Sequence, residues 1–365
     1  MHKSTSGTTL QLPTAAALEN KNGDDSMSYS IALNFEDGVT RVINCSAAES
    51  VVDAAYRQGI NIPMDCREGA CSTCKCRVES GTYSLGEYIE DALSKEEAGN
   101  GFALACQMRP KSDCVVLVRT DSVACGTKQE SVVTQIKDVQ RLSDSTFALT
   151  LQGDGLKHLA FLPGQYANIV IPGQEDQHRS YSFSTLQAGA NEASFLVRNV
   201  PGGLMSGFLK ERAKPGTAMT LTGPYGGFYL RAVQRPVLML AGGTGLAPFL
   251  AMLDKLVAEG GSKHPIHLIY GVNTDRDVVA VERLDAFKDK LANFSYDICV
   301  VDANSERPRK GYVTHHMAPE HLNGGDVDIY LCGPPPMVEA VAQHLRDVDI
   351  KSASFHFEKF AASSR

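Results

Sequence analysis

The sequence predicts a multidomain protein with an α+β N-terminal part, an antiparallel β-barrel in the middle and an α/β C-terminal part. Three observations predict this fold class. Short strand-like runs flank one helical stretch in the first part, Gly- and Pro-punctuated β-rich runs fill the middle, and strand-like and helical runs alternate at the end. The predicted boundaries are a disordered tail (1–28), a first domain (29–122), a linker (123–130), a second domain (131–233) and a third domain (234–365).

Composition and charge exclude several classes of protein. The chain has 365 residues and 43% hydrophobic residues, enough for two or three domains with apolar cores. Its net charge of -7 argues against a general nucleic-acid binder, which needs excess Lys and Arg to meet phosphates. The polar, Ser- and Thr-rich start lacks the apolar core of a signal peptide. We therefore expect a cytoplasmic protein whose cysteines are reduced or bind metal.

One apolar stretch is nearly long enough for a membrane-spanning helix. Val237–Leu253 is a run without any charged residue, but Gly242, Gly243, Gly245 and Pro248 would interrupt a single helix. A strand, a loop and a helix fit this pattern better, so we expect no membrane association.

In the first domain, Ser30–Phe35 has the two-residue period of a half-buried strand, and Asp37-Gly38 after it is typical of a hairpin turn. Ser50–Gly59 is predicted to be a short helix. The acidic run Glu87–Glu97 is predicted to be a solvated helix surface, with an acidic docking face as a second interpretation.

Four cysteines after that helix have the spacing of an iron–sulfur site. Cys66, Cys71 and Cys74 form a C-x4-C-x2-C pattern, and Cys106 follows farther along the chain. This is the spacing of plant-type [2Fe–2S] ligands, in which one tight loop supplies three thiolates. A zinc site would usually need a second close cysteine pair, which the sequence lacks. The remaining cysteines are predicted to be small buried residues or surface thiols.

In the second domain, Arg179–Ser182 follows the strand that begins near Tyr166. An Arg can neutralise a pyrophosphate, a Tyr can stack on a ring, and a Ser can hydrogen-bond a ring nitrogen. The Gly-rich turn Pro201–Ser206 precedes a predicted short helix, Ser206–Lys210, whose free amides suit a phosphate. Each motif is weak alone, and an ordinary surface is the simpler explanation for Arg179–Ser182 on its own.

In the third domain, strand-like runs alternate with helical runs, which predicts a parallel sheet covered on both faces. Gly242–Gly245 lies between the first strand and its helix, where a dinucleotide pyrophosphate would bind, although Pro248 departs from the Rossmann fingerprint. Cys332 closes a later strand at the edge where ligands bind in such sheets, with a buried apolar role as the alternative. His315 and His316 are adjacent and do not share a face, so a metal pair is not expected.

Taken together, these segments resemble the reductase components of benzoate and anthranilate 1,2-dioxygenases, within the ferredoxin–NAD(P) reductase superfamily. The resemblance runs from about Ser30 to Ala361. The stretches that carry it are Phe35–Arg41, Ile62–Gly69, Arg179–Ser184, Leu238–Gly245, Tyr330–Pro334 and Phe357–Phe360.

The resemblance implies an N-terminal β-grasp ferredoxin domain, an FAD-binding β-barrel and a C-terminal NAD domain with strand order 3-2-1-4-5. It implies that Arg179 holds the FAD pyrophosphate, that Tyr181 packs on the flavin and that Ser182 lies near flavin N5. The phosphates of FAD would be cradled by Gly203 and Ser206. The expected cofactor-binding residues also include Val197 and Met205.

For the nucleotide, the resemblance implies that Gly243, Thr244 and Gly245 face the NAD pyrophosphate and that Cys332 faces the nicotinamide. Ser182, Cys332 and Glu358 are the expected catalytic residues. Glu358 and Phe360 match the carboxyl-terminal acid and aromatic residue of the superfamily, but here five residues follow Phe360. Asp302 follows a strand-like run at the place where NADP-using members carry a Ser-Arg pair, which predicts NADH as the donor. The alternative is that a shift of the loop just downstream, which contains Ser305, Arg307, Arg309 and Lys310, brings an Arg to the 2′-phosphate of NADPH.

The implied function is electron transfer from NADH through FAD and the [2Fe–2S] cluster to a separate, Rieske-type terminal oxygenase of an aromatic-acid 1,2-dioxygenase. We expect a monomer or weak oligomer. One alternative is the reductase component of a multicomponent monooxygenase. An alternative of another class is a redox sensor or electron carrier without turnover, which would leave the hydride-handling half of the chain unexplained.

Overall fold

The structure is a computed structural model that describes residues 27–126, 129–186 and 191–360. Most of the predicted tail, at 1–26, and residues 127–128 of the predicted linker lie outside the described residues. The three predicted kinds of fold are confirmed. Within the described ranges, no helix is both long enough and apolar enough to cross a membrane.

The N-terminal unit, residues 28–125, is a five-stranded mixed sheet with a small two-stranded sheet beside it. The first and last strands of the larger sheet in chain order pair in parallel at its centre, as in a β-grasp fold. Its elements are β1 (Ser28–Phe35), β2 (Thr40–Ser46), α1 (Val51–Arg57), β3 (Lys75–Ser80), β4 (Tyr83–Leu85), α2 (Lys95–Gly99), β5 (Phe102–Leu104), β6 (Met108–Pro110), β7 (Cys114–Val118) and α3 (Ser122–Cys125).

Two local features of this unit position its long loop. Ser50 caps α1, because its hydroxyl accepts a hydrogen bond from the Asp53 amide at 3.2 Å, and the helix buries Val51 and Val52 in the core.

The prediction of a helix over Glu87–Glu97 is wrong for most of that run. Ser94 forms a capping box with Glu97, so α2 begins only at Lys95.

The middle unit, residues 130–225, is a six-stranded antiparallel sheet in the order β11-β10-β13-β8-β9-β12. A bridge between Phe183 and Phe195 links its two edges, so the sheet closes into a barrel. Its elements are β8 (Glu130–Arg141), β9 (Thr146–Gln152), β10 (Tyr166–Ile171), β11 (Gln174–Ser182), β12 (Glu192–Arg198), α4 (Leu204–Glu211) and β13 (Ala218–Tyr225).

The C-terminal unit, residues 237–359, is a five-stranded parallel sheet in the order β16-β15-β14-β17-β18. This confirms the expected order 3-2-1-4-5. Separate apolar clusters cover the two faces of the sheet, which explains why the central strand β14 has no polar side chain. Its elements are β14 (Val237–Gly242), α5 (Ala247–Ala258), β15 (Ile266–Val272), α6 (Val281–Lys290), β16 (Phe294–Val300), α7 (Pro319–Leu322), β17 (Asp328–Gly333), α8 (Pro335–Asp347) and β18 (Ser354–Lys359).

The segment that leaves the barrel also holds the N-terminal unit. The Tyr229 hydroxyl lies 2.9 Å from the Thr120 hydroxyl and accepts a hydrogen bond from the Asp121 amide at 3.0 Å. Arg231 stacks over the Tyr229 ring and reaches Glu36 at 3.5 Å. These contacts place the N-terminal unit beside the junction of the other two.

Candidate functional site

Three of the four predicted cluster cysteines lie in the long loop between α1 and β3, and Cys106 follows β5. The Cys66 sulfur accepts hydrogen bonds from the backbone amides of Glu68 and Ala70, at 3.4 and 3.2 Å. Cys106 accepts from the Cys74 thiol and from the backbone amide of Gly69, which lowers the pKa of Cys106. The loop therefore turns amides toward sulfur, as iron–sulfur proteins do to tune their clusters.

The loop backbone is shaped for this arrangement. Arg67, Gly69 and Ser72 all have positive φ angles, of 59°, 73° and 64°. A Cβ atom on Gly69 would lie 2.6 Å from the Glu87 carbonyl oxygen, so only glycine fits beneath the segment that covers the loop.

The four cysteines supply the thiol groups that a [2Fe–2S] cluster needs. In the described part of the chain, no three His, Cys, Asp or Glu side chains surround a single possible ion position. A [2Fe–2S] cluster has no such requirement, because its four cysteines are shared between two irons. The four thiols and the inward amides thus fit this cluster.

The predicted flavin residues lie on β11, beside β10. Ser182 is opposite Tyr166 and Tyr181 is opposite Ala167 in the strand register, and the Ser182 side chain is buried. Tyr181 is half-buried and packs on the barrel core. The Arg179 guanidinium donates to the His178 carbonyl at 2.7 Å, at a partly exposed position where it can also meet an anion.

The predicted phosphate turn leads into α4. Gly203 is the N-cap residue and forms no side-chain cap, so the first amides of α4 are available to a phosphate. The Ser206 hydroxyl is already used within the loop, since it accepts from the Val200 amide at 2.9 Å and donates to the Arg198 carbonyl at 3.2 Å. The side chains of Val197 on β12 and Met205 on α4 are buried in the barrel core.

Ser182, Cys332 and Glu358, predicted as catalytic residues, come together from two units. The Ser182 hydroxyl donates to Glu358 Oε2 at 2.9 Å, and the Cys332 thiol donates to the same oxygen at 3.7 Å. Burial, and then the negative charge of Asp65, raise the pKa of Glu358 to about 8. The raised pKa favours the neutral, protonated form of this carboxyl group below that pH.

The predicted dinucleotide loop lies at the carboxyl end of β14, at the edge where ligands bind in such sheets. Gly243 has a φ of +55° and open space around its Cβ position. A Cβ on Gly245 would lie 2.2 Å from the Cys332 carbonyl oxygen. Thr244 stays partly exposed between them, and Phe360 is bonded through its amide to the Gly333 carbonyl at 2.9 Å.

Asp302 lies just beyond β16, where its backbone amide donates to the Asn273 carbonyl at 2.9 Å. Its carboxylate accepts from the Asn304 amide at 2.9 Å and remains half-exposed. The basic residues downstream are engaged elsewhere. Arg309 pairs with Asp297 at 2.8 Å, and Lys310 donates to the Ala303 carbonyl at 2.9 Å.

Sequence reasoning missed three residues that join the cluster loop to the barrel. The carboxylate of Asp65 accepts hydrogen bonds from the hydroxyl groups of Thr73 and Tyr166. Asp65 and Tyr166 are 101 positions apart in the chain. No periodicity or spacing could pair them, although the place of Asp65 directly before Cys66 was a local signal.

Comparisons with known proteins agree with a different cofactor for each of the three units. Residues 34–111 match the family described as 2Fe-2S iron-sulfur cluster binding domain, residues 133–229 the oxidoreductase FAD-binding domain, and residues 239–343 the oxidoreductase NAD-binding domain. The matched segments account for the three cofactors of the site: a [2Fe–2S] cluster, FAD and NAD.

The chain is 57% identical over 339 residues to the toluate 1,2-dioxygenase electron transfer component of Pseudomonas putida, covering 93% of this chain and 100% of the relative. It is 50% identical to the 2-halobenzoate 1,2-dioxygenase electron transfer component of Burkholderia cepacia, covering 92% and 98%. Among solved structures, a cytochrome P450 reductase from Amycolatopsis superposes with a TM-score of 0.70 at 29% identity, covering 92% and 100%.

Proposed function

Since this chain belongs to the family of electron transfer components of aromatic-acid 1,2-dioxygenases, we propose that it draws electrons from NADH and delivers them singly to a Rieske-type terminal oxygenase. It is an oxidoreductase with FAD-binding, NAD-binding and [2Fe–2S] domains. When bound, the flavin accepts two electrons as a hydride and releases them one at a time, and the cluster is the one-electron outlet.

The observation that carries the proposal is the meeting of Ser182, Cys332 and Glu358. Ser182 comes from the barrel, whereas Cys332 and Glu358 come from the parallel sheet. A nicotinamide ring bound at the end of β17 and a flavin bound beside β11 would meet at these three side chains. A proton on Glu358 leaves it neutral, so the site does not oppose the negative charge that a hydride brings.

The remaining residues divide between the two other cofactor positions. We assign Cys66, Cys71, Cys74 and Cys106 as cluster ligands, since amides of their own loop face the sulfurs of Cys66 and Cys106. Arg179, Tyr181 and the amides that follow Gly203 are assigned to FAD. Gly243, Thr244 and Gly245 are assigned to the NAD pyrophosphate.

The preference for NADH is supported by charge at the end of β16. Asp302 presents a carboxylate where a 2′-phosphate would need a cation. Arg309 and Lys310 are engaged with Asp297 and the Ala303 carbonyl. Arg307 lies 3.5 Å from Asp275, so it too has an acidic partner, which lies in the loop after β15. A carboxylate repels a phosphate and accepts hydrogen bonds from ribose hydroxyls.

An anaerobic single-turnover experiment tests the proposed function. Mixing the holoenzyme with NADH should bleach the flavin absorption first and then produce the signal of a reduced [2Fe–2S] cluster in electron paramagnetic resonance. Steady-state NADH oxidation with an artificial acceptor should show turnover. A protein that binds NADH but never reduces its flavin would be an electron carrier or sensor, and the proposal would fail.

A further inference from the structure

One contact between the N-terminal unit and the barrel has no part in the function described so far. The Tyr166 hydroxyl, on β10 of the barrel, donates a hydrogen bond to Oδ1 of Asp65 in the cysteine loop. On the assumption that the proposed function is right, we propose that Tyr166 is a positioning residue. Through Asp65 it fixes the cluster loop against the flavin-binding barrel and so sets the rate of electron transfer from FAD to the cluster.

On the cluster side, the contact is tied directly to the ligand loop. Asp65 precedes Cys66, and its second carboxylate oxygen accepts a hydrogen bond from the Thr73 hydroxyl. Thr73 lies between Cys71 and Cys74. The Asp65 carboxylate therefore links the start of the cysteine loop to its end. A contact that fixes Asp65 also fixes this loop.

On the flavin side, Tyr166 is fixed by the barrel. Its residue is 8% exposed, its ring stacks on that of Tyr225 with centroids 5.6 Å apart, and it lies opposite Ser182 in the strand register. A Cβ on Gly226 would lie 3.1 Å from the Tyr166 ring and 3.5 Å from Glu358 Oε1. Tyr166 thus stands between the hydride-transfer residues and the cysteine loop.

The need for such a contact follows from the general looseness of domain junctions. Interfaces between domains of one chain resemble transient protein–protein interfaces, and relative motion is the default. Electron transfer weakens steeply as donor and acceptor move apart. The step moves one electron at a time from the reduced flavin, which is oxidised, to the cluster, which is reduced. Because the cluster holds one electron at a time, it must pass that electron to the oxygenase before it can accept the second, and the flavin proton would then leave to solvent.

The chain offers a matched control at the same junction. The Tyr229 hydroxyl also forms hydrogen bonds across this junction. It is bonded to the Thr120 hydroxyl and accepts from the Asp121 amide, and neither partner is in the cysteine loop. Tyr166→Phe and Tyr229→Phe each remove one hydroxyl from this junction and keep the ring. The two variants therefore separate a specific effect on the cluster loop from a general loosening of the junction.

We expect Tyr166→Phe to leave flavin reduction by NADH unchanged and to slow the following flavin-to-cluster transfer about tenfold, in the range that small misplacements cost. Tyr229→Phe should keep the wild-type transfer rate. Hydrogen exchange of the holoenzyme should become faster in residues 65–74 for Tyr166→Phe, and around Asp121 for Tyr229→Phe. Asp65→Asn, which retains an acceptor for Tyr166, should keep residues 65–74 protected, whereas Asp65→Ala should not.

Equal transfer rates and equal exchange in Tyr166→Phe and the wild type would overturn the inference while leaving the function intact. Equal slowing in both Phe variants would also overturn it, because docking in general would then be the cause. If the wild type transfers no electron from flavin to cluster, the proposed function itself is wrong. Loss of the cluster spectrum in Tyr166→Phe would show a role in assembly, against the positioning role.

Discussion

Cys332 and Glu358 lie opposite one another on the neighbouring parallel strands β17 and β18, and the Cys332 thiol donates to the Glu358 carboxyl group at 3.7 Å. Ser182 of the barrel donates to the same oxygen at 2.9 Å. Glu358, the residue that titrates at this site, is thus hydrogen-bonded to both the barrel and the parallel sheet, the two units that would hold the reacting cofactors.

The first prediction concerns pH. The pKa of Glu358 is raised to about 8, so the group is neutral below that pH and ionised above it. Hydride transfer brings negative charge to the flavin, which an ionised Glu358 opposes. The rate of flavin reduction by NADH should therefore fall as pH rises through about 8. Stopped-flow reduction measures it, and Glu358→Gln should abolish this titration. A titration that persists unchanged in Glu358→Gln assigns it to another group.

The second prediction concerns Ser182. Ser182→Ala removes a hydroxyl that is bonded to Glu358 but leaves the buried strand packing in place. Flavin reduction should slow by up to 10²-fold, the cost of a misplacement of about 1 Å, while FAD content stays near wild type. Ser184→Ala, a second buried serine just beyond β11, is the control and should change the rate much less. An unchanged rate in Ser182→Ala would remove Ser182 from the hydride-transfer site.

The third prediction concerns the cluster. Wild-type protein should contain about two irons per chain, and Cys71→Ser should lose the cluster because it removes one of four ligands. Its flavin should still be reduced by NADH, since the barrel and the parallel sheet are untouched. Iron analysis and visible absorption measure both effects. Cys76→Ser is the control, because Cys76 is buried on β3 and donates to the Ala103 carbonyl at 3.5 Å. Full iron in Cys71→Ser would exclude Cys71 as a ligand.

The fourth prediction concerns the choice of nucleotide. We expect a higher kcat/KM for NADH than for NADPH, and Asp302→Ala should reduce that preference about tenfold, or roughly 1.4 kcal/mol. Glu306→Gln removes one negative charge from the same loop at an exposed position and should have a smaller effect. Steady-state kinetics with both nucleotides decide the matter. A wild-type preference for NADPH would contradict the role given to Asp302.

The fifth prediction concerns delivery to the oxygenase. Residues 29–122 contain 14 acidic and 9 basic side chains, a balance of -5. Glu87, Ile89 and Glu90 lie exposed beside the cysteine loop, where the Ile89 amide donates to the Gly69 carbonyl at 3.2 Å. The rate of partner reduction should fall as salt screens this surface, with a screening length of about 8 Å at physiological ionic strength.

A charge reversal locates this effect. Glu90→Lys should weaken electron delivery to the oxygenase more than Glu211→Lys, which makes the same charge change on the exposed end of α4. Neither variant should alter flavin reduction by NADH. A delivery rate that is independent of salt would argue against electrostatic steering.

The sequence was sufficient to predict features for which a local pattern of residues indicates both the structure and its chemistry. The parallel sheet followed from the alternation of strands and helices, while its strand order was implied by the family resemblance. The four-cysteine spacing identified the loop that turns amides toward sulfur. The helix predicted over Glu87–Glu97 was wrong because acidic composition does not set a helix start, whereas the Ser94 cap does. Residue roles at the cofactor positions stay predictions.

What the sequence could not give is contact between distant segments. Asp65 and Tyr166 meet only because the N-terminal unit docks on the barrel, and Ser182 meets Glu358 only because two units converge. The burial and charge that raise the pKa of Glu358 likewise depend on that assembly. Such relationships are tertiary, and no window along the chain contains both partners.

Gly245 has a consequence for how the enzyme can be tuned. A Cβ on Gly245 would lie 2.2 Å from the Cys332 carbonyl oxygen, so the turn that would bind the diphosphate packs directly on the strand that would face the nicotinamide. A side chain at this position would push both at once. We therefore expect a substitution at Gly245 to change the affinity for the donor and the rate of the redox step together.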